Sequence, residues 1–193
     1  MNSNSNFFER SNYFVGQNAI CSKSYDKYQI FNNKKENIGF VRERMTKGKK
    51  ILRQVVGKTF LPAQIEIRSA NGTLEVLLSR RSFFQSNKIV ICDPRGNVLG
   101  CIKRRVNFFK STYTILNQFD EIIAEISGND KEWSFMITDA SKSKIGSIDK
   151  KWEGIMKEIY SSADKFNVNI KTDFVNKNDK IAIFSSAIVM YMI

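Results

Sequence analysis

The chain of 193 residues contains no histidine. That absence removes Ser-His-Asp and Cys-His nucleophiles, imidazole-ligated zinc and histidine proton shuttles together. Cysteine is scarce: Cys21, Cys92 and Cys101 form an odd trio at no zinc-finger spacing. The reading is a reduced chain without a disulfide framework. No Gly-rich phosphate loop of the P-loop or dinucleotide kind occurs, and no cofactor is expected on these grounds. Met1 to Asn6 is polar and lacks the basic and apolar regions of a secretory signal. Residue 2 is not Gly and the chain does not end in a prenylation box, so neither lipid anchor is expected. Long hydrophobic runs are missing too, except for the uncharged stretch Ile181 to Ile193. As a helix it covers ~20 Å against the ~30 Å of a bilayer core, too short to cross alone. It is apolar on every face, which points to burial inside the protein.

What is present is a repeat. Four fourteen-residue windows start at Tyr28, Ile89, Tyr113 and Phe135. Two residues on come Ile30, Ile91, Ile115 and Ile137, then the polar set Asn32, Asp93, Asn117 and Asp139. After a turn come Ile38, Leu99, Ile123 and Ile145, each followed by Gly or Ala, and a closing apolar residue (Val41, Ile102, Ile126, Ile148). A fifth copy starts at Ile65 but has Glu75 where the others are apolar, and no glycine after it.

Alternating apolar residues, a polar turn and a second apolar arm describe a β-hairpin. Asp93-Pro94-Arg95-Gly96-Asn97 is the clearest turn. The recurring glycine reads as a close backbone approach inside a strand. Five hairpins supply ten strands, and Phe14 to Ile20 and Phe166 to Ile170 supply two more. Gly48 to Gly57 stays open between strand and short helix. Twelve sequential strands lose both exposed edges by closing, and a barrel that wide needs a filler. The expected fold is therefore all-β: a twelve-stranded antiparallel closed barrel around a central hydrophobic C-terminal helix. That helix would present Ile181, Phe184, Ala187, Ile188 and Tyr191 to the wall. The domain is placed at 13–193, behind a polar tail at 1–12.

The stretch Ile148-Asp149-Lys150-Lys151-Trp152-Glu153-Gly154-Ile155-Met156-Lys157-Glu158-Ile159-Tyr160-Ser161-Ser162-Ala163-Asp164-Lys165-Phe166 resembles the phospholipid scramblase family's I-x-K-x-W-x-G-x-x-[KR]-E-x-x-[ST]-D-A-D-x-[FY]. Ser79-Arg80-Arg81-Ser82-Phe83-Phe84 and the hairpin at Ile89 are similar to that family's repeating units. The family belongs with the tubby C-terminal-like proteins, whose fold is a twelve-stranded barrel around a hydrophobic helix. The resemblance implies membranes, phospholipids or phosphoinositides as partners, and for the animal relatives a calcium-triggered movement of lipids between leaflets. It also implies a calcium segment, here retaining Asp164 and Asp173. Ser162 and Lys171 depart from its pattern and bring in fewer oxygens and more positive charge than calcium prefers. The Pro-rich tail and palmitoylated cysteine cluster of the family have no counterpart here.

Charge is uneven. Residues 1–41 carry a balance of +2, residues 42–110 of +12 and residues 111–193 of −2. Such asymmetry points to an anionic partner. The candidate lipid- or anion-binding residues are Arg80, Arg81, Lys103, Arg104 and Arg105. Lys103 and Arg105 follow Ile102 on one strand and are expected to share its outer face. An anionic phospholipid surface, nucleic acid and a merely solvated face all fit such clusters, and the family resemblance favours lipid. The acid pairs lack any nucleophile, metal set or cofactor loop beside them, so no enzyme is expected. The expectation is a protein of the cytoplasm, or peripheral at the cytoplasmic face of a membrane, and not secreted. Nucleic acid is the alternative partner.

Overall fold

The computed structural model describes residues 6–17, 28–44, 63–80, 88–107, 110–129, 134–150, 165–171, 173, 174 and 176–192. Its strands are β1 (Asn12–Gln17), β2 (Tyr28–Phe31), β3 (Asn37–Glu43), β4 (Ala63–Ser69), β5 (Leu74–Arg80) and β6 (Lys88–Cys92). They continue as β7 (Val98–Asn107), β8 (Lys110–Asn117), β9 (Ile122–Asn129), β10 (Ser134–Asp139), β11 (Lys144–Asp149) and β12 (Lys165–Ile170). One helix follows, α1 (Lys177–Met192). All twelve strands pair antiparallel with their sequence neighbours. β1 closes the ring by pairing with both β2 and β12, as in Val15↔Ile30 and Tyr13↔Val168.

The five repeat windows are the five tight hairpins β2–β3, β4–β5, β6–β7, β8–β9 and β10–β11. Their frame residues Ile30, Ile67, Ile91, Ile115 and Ile137 are each fully buried in the barrel. The register explains the rest of the pattern. Each hairpin carries a bulge at the same place, leaving Ile38, Glu75, Leu99, Ile123 or Ile145 without an opposite residue. An extra residue breaks the strict alternation, so this position and the small residue after it are both drawn off the solvent face. A Cβ at Gly39 would strike the Arg68 carbonyl and the Phe7 ring, and one at Gly146 the Asn169 carbonyl. The recurring glycine is thus a packing requirement between adjacent strands.

The turns repeat as well. Asn32, Asp93 and Asn117 each accept two turn amides through Oδ1, from Lys34 and Glu36, Arg95 and Asn97, and Phe119 and Glu121, at 2.8–3.0 Å. Asp139 accepts the Ser143 amide at 2.9 Å. Where the fifth window has Ser69, Asn71 takes over and accepts the Thr73 amide. These side chains stand in for a backbone turn. The seventh residue after each window start has positive φ: Lys35, Gly72, Gly96, Asp120 and Lys142.

Helix α1 runs through the lumen. Residues Ala182 to Val189 are buried without a break around the helix, including Phe184, Ala187 and Ile188, while Ile181 and Tyr191 are partly buried against the core. Its first turn lies at the hairpin-turn end, and at the opposite end Tyr191 stacks on Phe166 at 4.4 Å. The helix begins four residues before the apolar run. Asn176 supplies the start, its Oδ1 accepting the Asn178 amide at 3.0 Å. Lys180, inside this extension, is 3% exposed, and burial pushes its ammonium pKa down.

Two expectations are refined at the N-terminus. Residues Asn6–Glu9, within the segment read as a polar tail, form a 3-10 turn. Phe7 and Phe8 are buried there, edge-on to Phe184 at 6.0 and 5.9 Å. Two adjacent aromatics carry no periodicity, so only the helix end they cover reveals their role. The first strand starts at Asn12, two residues before the expected Phe14. Residues 18–20 and the ambiguous Gly48 to Gly57 lie outside the described residues.

Candidate functional site

The barrel wall sorts the basic residues by strand alternation. On β7, Ile102 points into the core at 1% exposure, so Lys103 and Arg105 point out, and both are exposed. Lys103 stands directly opposite Lys88 of β6 and Thr114 of β8, and Arg105 opposite Thr112. Two lysines facing each other across strands repel. Lys88 is relieved by Asp120, whose carboxylate accepts its ammonium at 3.0 Å and raises its pKa. Lys103 has no carboxylate partner among the described residues.

Arg104 takes the other face. It lies opposite the buried Tyr113, with its guanidinium carbon 5.7 Å from the ring centroid in a cation–π contact. Arg80, opposite Ala63 and Ile89, is partly buried on the lumen side of the same barrel end. Strand alternation therefore divides the expected set: Lys103 and Arg105 on the outer face, Arg80 and Arg104 on the other, with Arg104 exposed at the barrel end and Arg80 partly buried. Arg81 lies outside the described residues, as do Phe108, Phe109, Lys47 to Lys50 and most of the Trp152 motif.

A second basic wall was not legible in the sequence. On β3 and β4, Glu66 is outward-facing yet has a side-chain exposure of only 3%, because three guanidiniums cover it. Arg42 Nε reaches Oε2 at 2.8 Å, Arg68 Nε reaches Oε2 at 2.8 Å and Arg44 Nε reaches Oε1 at 3.2 Å. Burial pushes the Glu66 carboxyl up, but hydrogen bonds and charge from Arg68 and Arg42 outweigh it and hold it below the usual glutamate value. One carboxylate against three guanidiniums leaves a local charge of about +2, and Arg42 and Arg44 remain largely open to solvent. The strand order places this wall three strands from Lys103 and Arg105, a quarter of the ring. Arginines spaced two apart on a strand were the signal available. The glutamate that gathers them sits 24 residues from Arg42.

Asp173 is exposed after β12, and Asp164 lies outside the described residues. No group of three or more potential metal ligands occurs among the described residues. Cys92 and Cys101 are free thiols. Among the described residues, no helix is long and apolar enough to cross a membrane.

Comparison with known proteins adds the following. A family model described as Scramblase matches residues 17–192. A solved structure of a protein from Arabidopsis thaliana aligns with a TM-score of 0.55 at 11% identity, covering 93% of this chain and 89% of that chain. At that identity the likeness is one of fold. No curated protein matches this chain.

Proposed function

Because the chain belongs to the Scramblase family, we propose that it is a non-enzymatic, phospholipid-associated barrel that meets anionic membranes through its outward cations. Movement of phospholipids between leaflets is the finer part of this reading. The observation that carries the membrane contact is the outer face of β7. Lys103 and Arg105 are exposed together, and Lys103 faces a second lysine across the strand pair. Asp120 pairs with Lys88, and an anionic surface attracts the exposed Lys103 and Arg105 at about 1 kcal/mol per cation near the lipid. The Arg42, Arg44 and Arg68 wall adds to the same field. The reading places the protein in the cytoplasm or at the cytoplasmic face of a membrane. Calcium is not required on this reading, since Ser162 and Lys171 depart from the calcium segment that Asp164 and Asp173 retain.

The test is binding of the full chain to phosphatidylserine vesicles over a salt series. Wild type should bind, and more weakly as salt rises. Lys103→Glu with Arg105→Glu should fold normally and lose most of that binding. Unchanged binding by the double variant would refute the role of this face. Binding to DNA or RNA with no binding to vesicles would replace lipid with nucleic acid as the partner. Lipid transport is read separately, by a flip assay in reconstituted vesicles with and without calcium.

A further inference from the structure

On the outer face of β3 and β4, three arginines share one carboxylate. Glu66 Oε2 meets the Nε of Arg42 and of Arg68, each at 2.8 Å, and Oε1 meets the Nε of Arg44 at 3.2 Å. One guanidinium is enough to neutralise a carboxylate. Two further cations are held at the same spot, and an added anion relieves their mutual repulsion. Donors are in excess as well: three guanidiniums bring about fifteen N–H groups to a carboxylate with about four acceptor sites.

The three arginines are not equivalent. Arg68 is a strut, 23% exposed, with Nη1 donating to the Gly72 carbonyl. The side chains of Arg42 and Arg44 are 47% and 62% exposed, and Glu66 is the only side-chain partner either has among the described residues. Strand alternation keeps other acids away. Glu43 points to the opposite face, across from the buried Ile65. The outward neighbours on the flanking strands are Gln29 of β2 and Leu77 and Ser79 of β5, all uncharged. Glu66 itself is 3% exposed beneath the guanidiniums. A divalent cation is repelled here. A carboxylate or a phosphodiester brings one charge and two free oxygens. A phosphomonoester brings close to two charges and three strong acceptor oxygens, which matches a surplus of about +2 and two open forks.

We propose that Arg42 and Arg44 bind a terminal phosphate monoester, with Glu66 and Arg68 as the positioning residues that hold the two forks in place. The phosphate is carried by a lipid headgroup of the phosphatidic acid kind or by a small soluble ester. The lipid-borne form rests on the membrane reading above. The soluble form stands without it.

The experiment uses the full chain and two kinds of phosphatidylcholine vesicle, one containing phosphatidic acid and one phosphatidylglycerol, adjusted to equal surface potential. Methyl phosphate and dimethyl phosphate are compared in solution by NMR of the arginine Nε–H signals. Wild type should prefer the monoester about tenfold in both formats, as expected for one hydrogen bond between charged groups. Arg44→Lys keeps the charge and removes the fork, so it should melt with wild type and lose most of the preference. Glu66→Gln makes the wall more positive. A mere basic field would then bind every anion more tightly, whereas the built site loses its preference once the forks are released. Lys103→Glu with Arg105→Glu should weaken binding to both vesicles and leave the preference in solution intact. Preference in solution without vesicle binding would support the soluble ester while the membrane reading fails. Preference at vesicles alone would support the lipid-borne form. Vesicle binding without preference in either format would leave the membrane reading standing and overturn this site. Tighter binding of every anion by Glu66→Gln with the preference unchanged, or no binding of any probe, would overturn it as well.

Discussion

Replacing Phe184 with Ala tests whether α1 is the barrel's core or a detachable apolar tail. Phe184 is fully buried. Its ring centroid lies 4.3 Å from that of Tyr13, 6.0 Å from Phe7 and 5.9 Å from Phe8. Losing a buried phenyl group costs about 3–5 kcal/mol through transfer and cavity terms. Three lost ring contacts push the value to the upper part of that range, so about 5 kcal/mol is expected. A chain of this size holds roughly 5–15 kcal/mol in total, so a third or more of the stability disappears. At about 2–4 °C per kcal/mol for such a length, the melting temperature falls by about 10–20 °C in a thermal unfolding experiment followed by circular dichroism. The substitution leaves the run from Ile181 onward uncharged and apolar, so a tail that sat in lipid would tolerate it. A shift under about 3 °C would refute the plugged barrel.

The turns and the Glu66 cluster yield three further stability predictions. Lys35 holds φ near +67°, so Lys35→Gly should stabilise by about 0.5–1 kcal/mol, read as a higher denaturant midpoint. Gly96→Ala meets no atom within 4 Å but has φ +91°, so it should lower the midpoint by strain alone; an unchanged value would contradict the turn assignment. Glu66→Gln weakens the carboxylate's bonds to three guanidiniums and should cost about 2 kcal/mol. Because the folded Glu66 pKa is below its ordinary 4.5, its contribution is fully present above that value and fades as pH falls through the lowered folded pKa. Wild type should therefore lose its advantage over Glu66→Gln in acid, and a pH-independent difference would refute the ionised cluster.

The hairpins were legible because their information is local. Apolar residues two apart, a polar residue that binds turn amides and a small residue after the turn all lie within fourteen positions. Helix α1 was legible for a related reason: a segment apolar on every face has no stable place in water. Its true start was not, because Lys177 to Lys180 looks like a solvated sequence until the barrel mouth and Phe8 surround it. The division of Lys103, Arg104 and Arg105 between two faces was partly foreseen from period two. That Arg104 rests on Tyr113 required the β7–β8 register.

The sequence by itself thus determined the strands, their order, the need for closure and the identity of the filler. Each of these follows from short-range periodicity and from the cost of exposed edges and apolar surface. Only the tertiary structure decided which distant charges meet. Arg42, Arg44 and Arg68 converge on Glu66 because β3 and β4 pair in one register. Glu75 comes to lie beside the start of α1 because a bulge turns it inward. Coulomb energy depends on separation in space, and separation in space for these residues exists only once the ring has closed.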